Sequence, residues 1–157
     1  TRYGGSLDAD LRICISHRRR RAIAHAKQRR LAEGRPCVEI PAGDDPAYPC
    51  FVTTKLVGNG TAGRIVNGGR YTVTAIGVDR ITLLDDTARD AFEIALDACS
   101  KSCLLAHAMV YTKVQGSTES GTVMLWDVAS KYFKLCHLYV GLSRVTYGRN
   151  VFIASDS

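Results

Sequence analysis

The sequence predicts an α/β fold: a parallel sheet with packed helices, interrupted by a run of short antiparallel strands. Three observations predict it. The strand Leu11-Arg-Ile-Cys-Ile15 runs into a helical stretch, and Val123–Trp126, a helix over 134–145 and Val151-Phe-Ile-Ala154 follow as strand, helix, strand. Between them, over 37–103, the texture changes to short strands broken by Gly, Asn and Asp. The whole chain is 157 residues, 46% apolar and 23% charged, which suits one globular domain, or one with a small insertion, rather than a disordered segment. The expected division is 1–36 with 104–157 as the parallel layer, and 37–103 as the insertion.

Taken in order, residues 1–9 are polar and Gly-containing and predict a boundary or a frayed end. A helix is expected over about 19–32, stopped by Glu33-Gly34-Arg35-Pro36, with Ala22, Ile23, Ala26 and Leu31 as its inward stripe. Arg18, Arg19, Arg20, Arg21, Lys27, Arg29 and Arg30 cover the rest of it. A solvated face and a phosphate track both explain these cations; no acidic residue stands at i,i+4 within the run, which favours nucleic acid. In the insertion, Tyr48–Lys55, the stretch 64–77, Arg80–Asp86 and Ala91–Leu96 read as strands. Asn67-Gly68-Gly69 marks a turn, because Gly accepts positive φ and Asn visits it cheaply. Beyond it, 104–111 leads into the polar loop Thr112–Thr118. In the last helix, apolar residues at 135, 138, 139, 142 and 145 predict one buried face.

Charge and cysteine usage narrow the function. A net charge of +6 and a pI near 9.1 suit a polyanionic partner. No apolar run approaches the roughly 18 residues that span a bilayer, so no membrane partner is expected. There is no signal-peptide pattern, and Thr1 in place of Met reads as a trimmed or processed chain. Six cysteines include no Cys-x-x-Cys pair. Cys99, Cys103 and His107 share helical spacing, but buried free thiols are the commoner outcome, and no metal site is assigned. Reduced thiols imply intracellular residence, in nucleus or cytoplasm.

Two clusters carry the candidate chemistry. Lys113, Gln115, Gly116, Ser117 and Thr118 form a compact polar turn beside an apolar run, able to offer donors to a phosphate or sugar. Arg144 stands near the end of the last helix, where a guanidinium either closes the helix dipole or reaches for phosphate oxygens. One apolar strand ends in Asp85-Asp86, as a magnesium-binding strand of a P-loop ATPase does. That strand works only beside a Gly-x-x-x-x-Gly-Lys-[Ser/Thr] loop, and no Gly-Lys dipeptide occurs in the chain. The Asp pair therefore reads as a strand-end turn.

Together the clusters, Ala-Met-Val-Tyr-Thr-Lys-Val-Gln-Gly-Ser-Thr over 108–118 and Leu-Tyr-Val-Gly-Leu-Ser-Arg-Val over 138–145, resemble the last two motifs of superfamily 1 DNA helicases of the RecD-like and PIF-type branch. The usual forms there are Thr-Ile-His-Lys-Ser-Gln-Gly-x-Thr and Leu-Tyr-Val-Ala-Leu-Ser-Arg-Val. Ile65-Val66-Asn67-Gly68 resembles the Asn-Gly signature of that family's small β-barrel, and Ser16-His17 stand at its usual Thr-Asn turn. The resemblance implies a second RecA-like domain, a parallel sheet interrupted by a small antiparallel β-barrel. It implies Arg144 as an arginine finger and Gln115 and Gly116 as links between nucleotide and DNA. Ser16, His17, Arg18, Thr112, Lys113, Thr118 and Asn67 are implied as contacts to single-stranded DNA. ATP and Mg²⁺ would be held mainly by an N-terminal RecA-like domain of the same protein. Thr112 departs from the family's His, His137 from its frequent Gln, and Ile23-Ala24 from its helix Asn. Two readings from other classes are a non-enzymatic nucleic-acid-binding module, using the Arg18–Arg30 face, and a protein-interaction domain.

Overall fold

A computed structural model describes residues 2–3, 9–42, 45–114 and 121–154. Gln115, Gly116, Ser117 and Thr118 lie outside the described residues. The chain folds as two units, Thr1–Ile23 with His107–Ser157, and Ala24–Ala106.

Strands are numbered along the chain. The first unit holds β1 (Arg2–Tyr3), β2 (Leu11–Cys14), β10 (Ala108–Val110), β11 (Val123–Leu125) and β12 (Val151–Ile153) in one parallel sheet of order β1-β12-β11-β2-β10. Ala108 pairs with Arg12, and Val123 with both Leu11 and Val151. Every residue of β2, β10 and β11 is buried, so β10 and β11 read as unbroken apolar runs, while β2 is a short buried strand that takes Arg12 inside, its Nη1 donating to Ala9 O at 3.3 Å. The N-terminal stretch is not wholly frayed: Arg2 and Tyr3 pair with Phe152 and Ile153. A two-residue strand is too short to show any period in sequence.

The helix α1 (His17–Ala32) starts earlier than predicted because Ser16 caps it, its Oγ accepting the Arg19 N–H at 3.2 Å. Its buried line is also different. Arg20, Ala24, Gln28 and Ala32, four residues apart, are buried, whereas Ala22 and Ala26 are exposed. The polar Gln28 can stand inside because its Nε2 donates to Pro49 O at 2.8 Å and to Thr54 Oγ1 at 3.0 Å.

A second correction concerns α3 (Leu135–Leu142). Leu135, Tyr139 and Leu142 are 80%, 74% and 46% exposed, so three of the five stripe residues face out, while Leu138 and Val145 are half-buried. The side that packs is made by Gly141. A Cβ there would stand 2.6 Å from Leu125 Cδ2 and 3.3 Å from Tyr111 Cε1, so the absent side chain lets the helix approach the sheet. His137 packs against Tyr111 and Phe133, ring centroids 5.3 and 5.6 Å apart, and its Nδ1 accepts the Lys134 N–H at 2.9 Å. That bond to the first turn is one a Gln at the same position also makes.

The second unit contains the rest of α1, the ribbon β3 (Val38–Ala42) with β4 (Asp45–Cys50), and α2 (Leu96–Ser102). Its five-stranded antiparallel sheet joins β5 (Lys55–Gly58), β6 (Arg70–Ile76), β7 (Arg80–Asp85), β8 (Ala91–Ala95) and β9 (Cys103–Leu105) in the order β8-β7-β6-β5-β9. Tyr71, Val73, Ile81 and Leu83 point inward at every second position. The fold is thus α/β, a parallel sheet interrupted by an antiparallel insertion. Asp85 does close its strand with a turn, its Oδ1 accepting the Thr87 and Ala88 N–H groups at 2.9 and 3.0 Å. Because α2 ends at Ser102, the helical relation of Cys99 and Cys103 to His107 is not formed.

At Gly58 an added Cβ would meet the Val66 backbone oxygen and carbon, which no side-chain rotation relieves. Gly58→Ala is expected to destabilise the second unit by about 1–3 kcal/mol. Urea unfolding followed by circular dichroism checks this; an unchanged midpoint would contradict the close approach.

Candidate nucleotide and nucleic-acid site

All strands of the first unit run the same way, so their carboxyl ends line one edge of the sheet. There β2 stands between β10 and β11, and the chain passes from one side of it to the other. Such a switch in strand order opens a crevice at the carboxyl ends, where α/β sheets take ligands. Three segments leave the edge together: Ile15–Arg18 after β2, Tyr111–Val114 after β10, and Trp126–Asp127 after β11.

Arg144 joins this edge. It follows the last turn of α3, half-buried, with Nε donating to Val140 O at 3.1 Å and Nη2 to Ser143 Oγ at 2.8 Å. Its Nη1 donates to Val114 O at 3.1 Å. The two sequence clusters, 30 residues apart, therefore meet, because Val114 is the residue before Gln115. These three acceptors are neutral carbonyl and hydroxyl oxygens, and a charge-assisted bond to a phosphate oxygen is stronger than each of them.

Ser16, His17 and Arg18 are exposed at the same edge. Ser16 is engaged as the helix cap, and His17 Nδ1 accepts the Arg20 Nε–H at 3.4 Å. Thr112 is exposed and Lys113 half-buried in the turn after β10, closed by the Lys113 N–H to Val110 O at 3.0 Å. Gln115, Gly116 and Thr118 fall outside the described residues. Asn67 belongs to the second unit, exposed in a turn where Gly68 has φ +82° and the Gly69 N–H donates to Val66 O at 3.0 Å. Of the basic run on α1, Arg19 and Arg29 take carboxylates from other elements, Asp127 at 2.7 Å and Glu39 at 3.4 Å.

One residue of the edge escaped the sequence reading. Asp127 is buried at φ +64°, a conformation that Asp tolerates better than most side chains. Its Oδ2 accepts the Ile15 N–H at 3.0 Å and its Oδ1 pairs with Arg19 Nε at 2.7 Å. Arg19 also lies over the Trp126 ring, 5.5 Å from its centroid. In sequence Asp127 merely ends an apolar strand, and its partners stand more than a hundred residues away. Beneath the edge Cys14 and Tyr111 are buried. Burial, helped by the Asp127 charge, pushes the Cys14 thiol up to about 12 and raises the Tyr111 phenol. Tyr111 Oη donates to Trp126 O at 3.1 Å, tying the segment after β10 to the one after β11.

No group of three His, Cys, Asp or Glu that could hold a metal ion occurs among the described residues. No helix of the described residues is long and apolar enough to cross a membrane.

Neither a protein-family model nor a curated protein matches the chain in sequence. Solved structures do match it in fold. A structure of two coordinating Pif1 helicases unwinding DNA at forked dsDNA superposes with a TM-score of 0.66 and 20% identity over 94% of this chain. Pif1 helicase from Bacteroides, in complex with ADP-AlF3 and ssDNA, gives 0.67 and 18% over 94%. Pif1 helicase from Candida albicans gives 0.61 and 13% over 97%. The chain spans 39%, 40% and 46% of those three proteins. Over nearly its whole length, then, this chain has the fold found in Pif1 helicases, the branch that its Leu138–Val145 motif resembles.

Proposed function

We propose that the chain is the C-terminal motor half of an ATP-dependent DNA helicase, binding single-stranded DNA and lending an arginine finger to ATP held by an N-terminal RecA-like domain. The observation that carries this reading is the Arg144 Nη1 bond to Val114 O, which sets the helix-end guanidinium at the carboxyl edge of the parallel sheet, one residue before Gln115.

The chain's own groups fit a shared pocket better than a complete one. It has no Gly-Lys loop to cradle the β- and γ-phosphates. Asp85 is used by its turn, and Asp127 by Ile15 and Arg19, so neither stands ready for Mg²⁺. Phosphate loop and metal ligands are assigned to the N-terminal domain, where ATP supplies the free energy of its terminal phosphoanhydride. Arg144 exchanges its carbonyl contacts for the γ-phosphate oxygens as the two domains close, and opposes the charge that spreads over them. Its bond to Val114 makes that exchange felt at the loop holding Gln115 and Gly116. Lys113, Thr112 and Thr118, with Ser16, His17 and Arg18 along the edge, grip the strand backbone; Asn67, within the second unit, is assigned a contact of its own. Alternate closing and opening becomes stepping along one strand.

The second reading, a nucleic-acid-binding module without a motor, rests on the cations Arg18 and Arg19 exposed in the first turn of α1. One experiment addresses both. Fluorescence anisotropy of a labelled dT20 strand is expected to show binding that weakens steeply with salt. Lys113→Ala and Arg18→Ala should each weaken it several-fold and lower the salt slope by about 0.7, one phosphate contact each. Undiminished binding by both variants would contradict the DNA track. Binding lost in these variants, with Arg144→Ala leaving ATP turnover of the longer protein intact, would favour the module.

A further inference from the structure

The first turn of α1 contains Arg18, Arg19 and Arg20 and no acidic residue. Backbone N–H groups there already make the helix end positive, so these cations are in the less favourable place. Left to itself, the Ile15–Arg20 segment would repel its own charges and fray. Asp127 answers this from the segment after β11. Its buried carboxylate takes the Ile15 N–H at 3.0 Å and Arg19 Nε at 2.7 Å, while the Trp126 ring supports the guanidinium from 5.5 Å. The Arg19 side chain remains 44% exposed and the Asp127 side chain only 10%. The acid is thus hidden from a ligand, and the base is presented to it.

We infer that Asp127 is a positioning residue for single-stranded nucleic acid, fixing Arg19 and the Ile15–Arg18 turn so that both meet the strand's phosphates. This rests on the DNA-binding reading of the same edge. It has a counter-intuitive consequence. Removing a carboxylate raises the net charge, and on charge alone must tighten binding to a polyanion. If Asp127 positions Arg19, its removal loosens binding instead.

The test is dT20 anisotropy on the 157-residue chain across a salt series, with thermal melting recorded beside it. Asp127→Asn keeps the shape, an acceptor for Ile15 and tolerance of positive φ. It is expected to bind three- to tenfold more weakly, with a salt slope lower by about 0.7, the contact of Arg19. In an Arg19→Gln background the same change should have no further effect. Arg19→Lys keeps the charge but loses the Nε contact, and should weaken binding to a similar degree; it carries the test if Asp127→Asn fails to fold. Equal or tighter binding by Asp127→Asn, or wild-type binding by Arg19→Lys, overturns the inference. Should Arg18→Ala and Lys113→Ala also bind like wild type, the DNA-binding reading falls with it. Should those two weaken binding while Asp127→Asn does not, only the positioning role is lost.

Discussion

On the proposed helicase reading, Arg144→Ala in a chain joined to an ATP-binding RecA-like domain is expected to lower DNA-stimulated ATP turnover by about 10³–10⁵-fold, the usual loss on removing an arginine finger. Single-strand affinity should stay within about twofold, because the grip is assigned to Lys113, Thr112 and the α1 turn. Two measurements separate this from a structural role. Arg144 also ties α3 to Val114, with a further bond to Val140 O, and losing those contacts costs some stability. If tying were its whole contribution, turnover would fall only with the folded fraction and recover at lower temperature. A loss of turnover at unchanged folded fraction and unchanged DNA affinity is the expected pattern. Arg144→Lys, which keeps the charge but not the planar fork, should recover only part of the rate.

Leu125→Ala is expected to have the largest effect on stability, about 2–5 kcal/mol. Leu125 is fully buried in β11 and carries the contact with α3. Its partner is a glycine, which makes the sign of a second change predictable. In the wild-type chain, Gly141→Ala gains helix propensity, about 1 kcal/mol, but pushes a methyl to within 2.6 Å of Leu125 Cδ2. With Leu125 truncated, the same methyl enters vacated space and keeps the helix gain. Gly141→Ala should therefore recover about 1–2 kcal/mol in the Leu125→Ala background and much less, or nothing, alone. Urea titration read by Trp126, the single tryptophan and the residue after Leu125, reports on this unit. Strictly additive effects would contradict the packing of α3 through Gly141.

What could be read from sequence, and what could not, follows from where each residue finds its partner. The strands 108–110, 123–125 and 151–153 were legible because buried parallel strands favour continuous apolar runs, and 11–14 because Leu11, Ile13 and Cys14 flank its single Arg. The turns at Asp85 and Gly68 were legible because their chemistry is local. The orientation of α3 was not: Gly141 offers no hydrophobic signal, while Leu135 and Tyr139 offer a strong one and are exposed. The inner line of α1 was hidden for the opposite reason, since Gln28 looks solvent-facing until Pro49 O and Thr54 Oγ1 are known. At the site, Arg144 and Lys113 stood out as motif residues. Asp127 did not, because a buried acid has meaning only beside the Ile15 N–H and Arg19 that another strand and helix bring to it.

Steady-state ATP turnover by the purified 157-residue chain, with Mg²⁺ and dT20 present, tests most directly whether this sheet edge is one wall of a pocket shared with another domain. No turnover above buffer is expected, and turnover dependent on Arg144 is expected once a phosphate-loop domain is joined to the chain. Turnover by the chain alone, abolished by Arg144→Ala, would contradict the shared pocket.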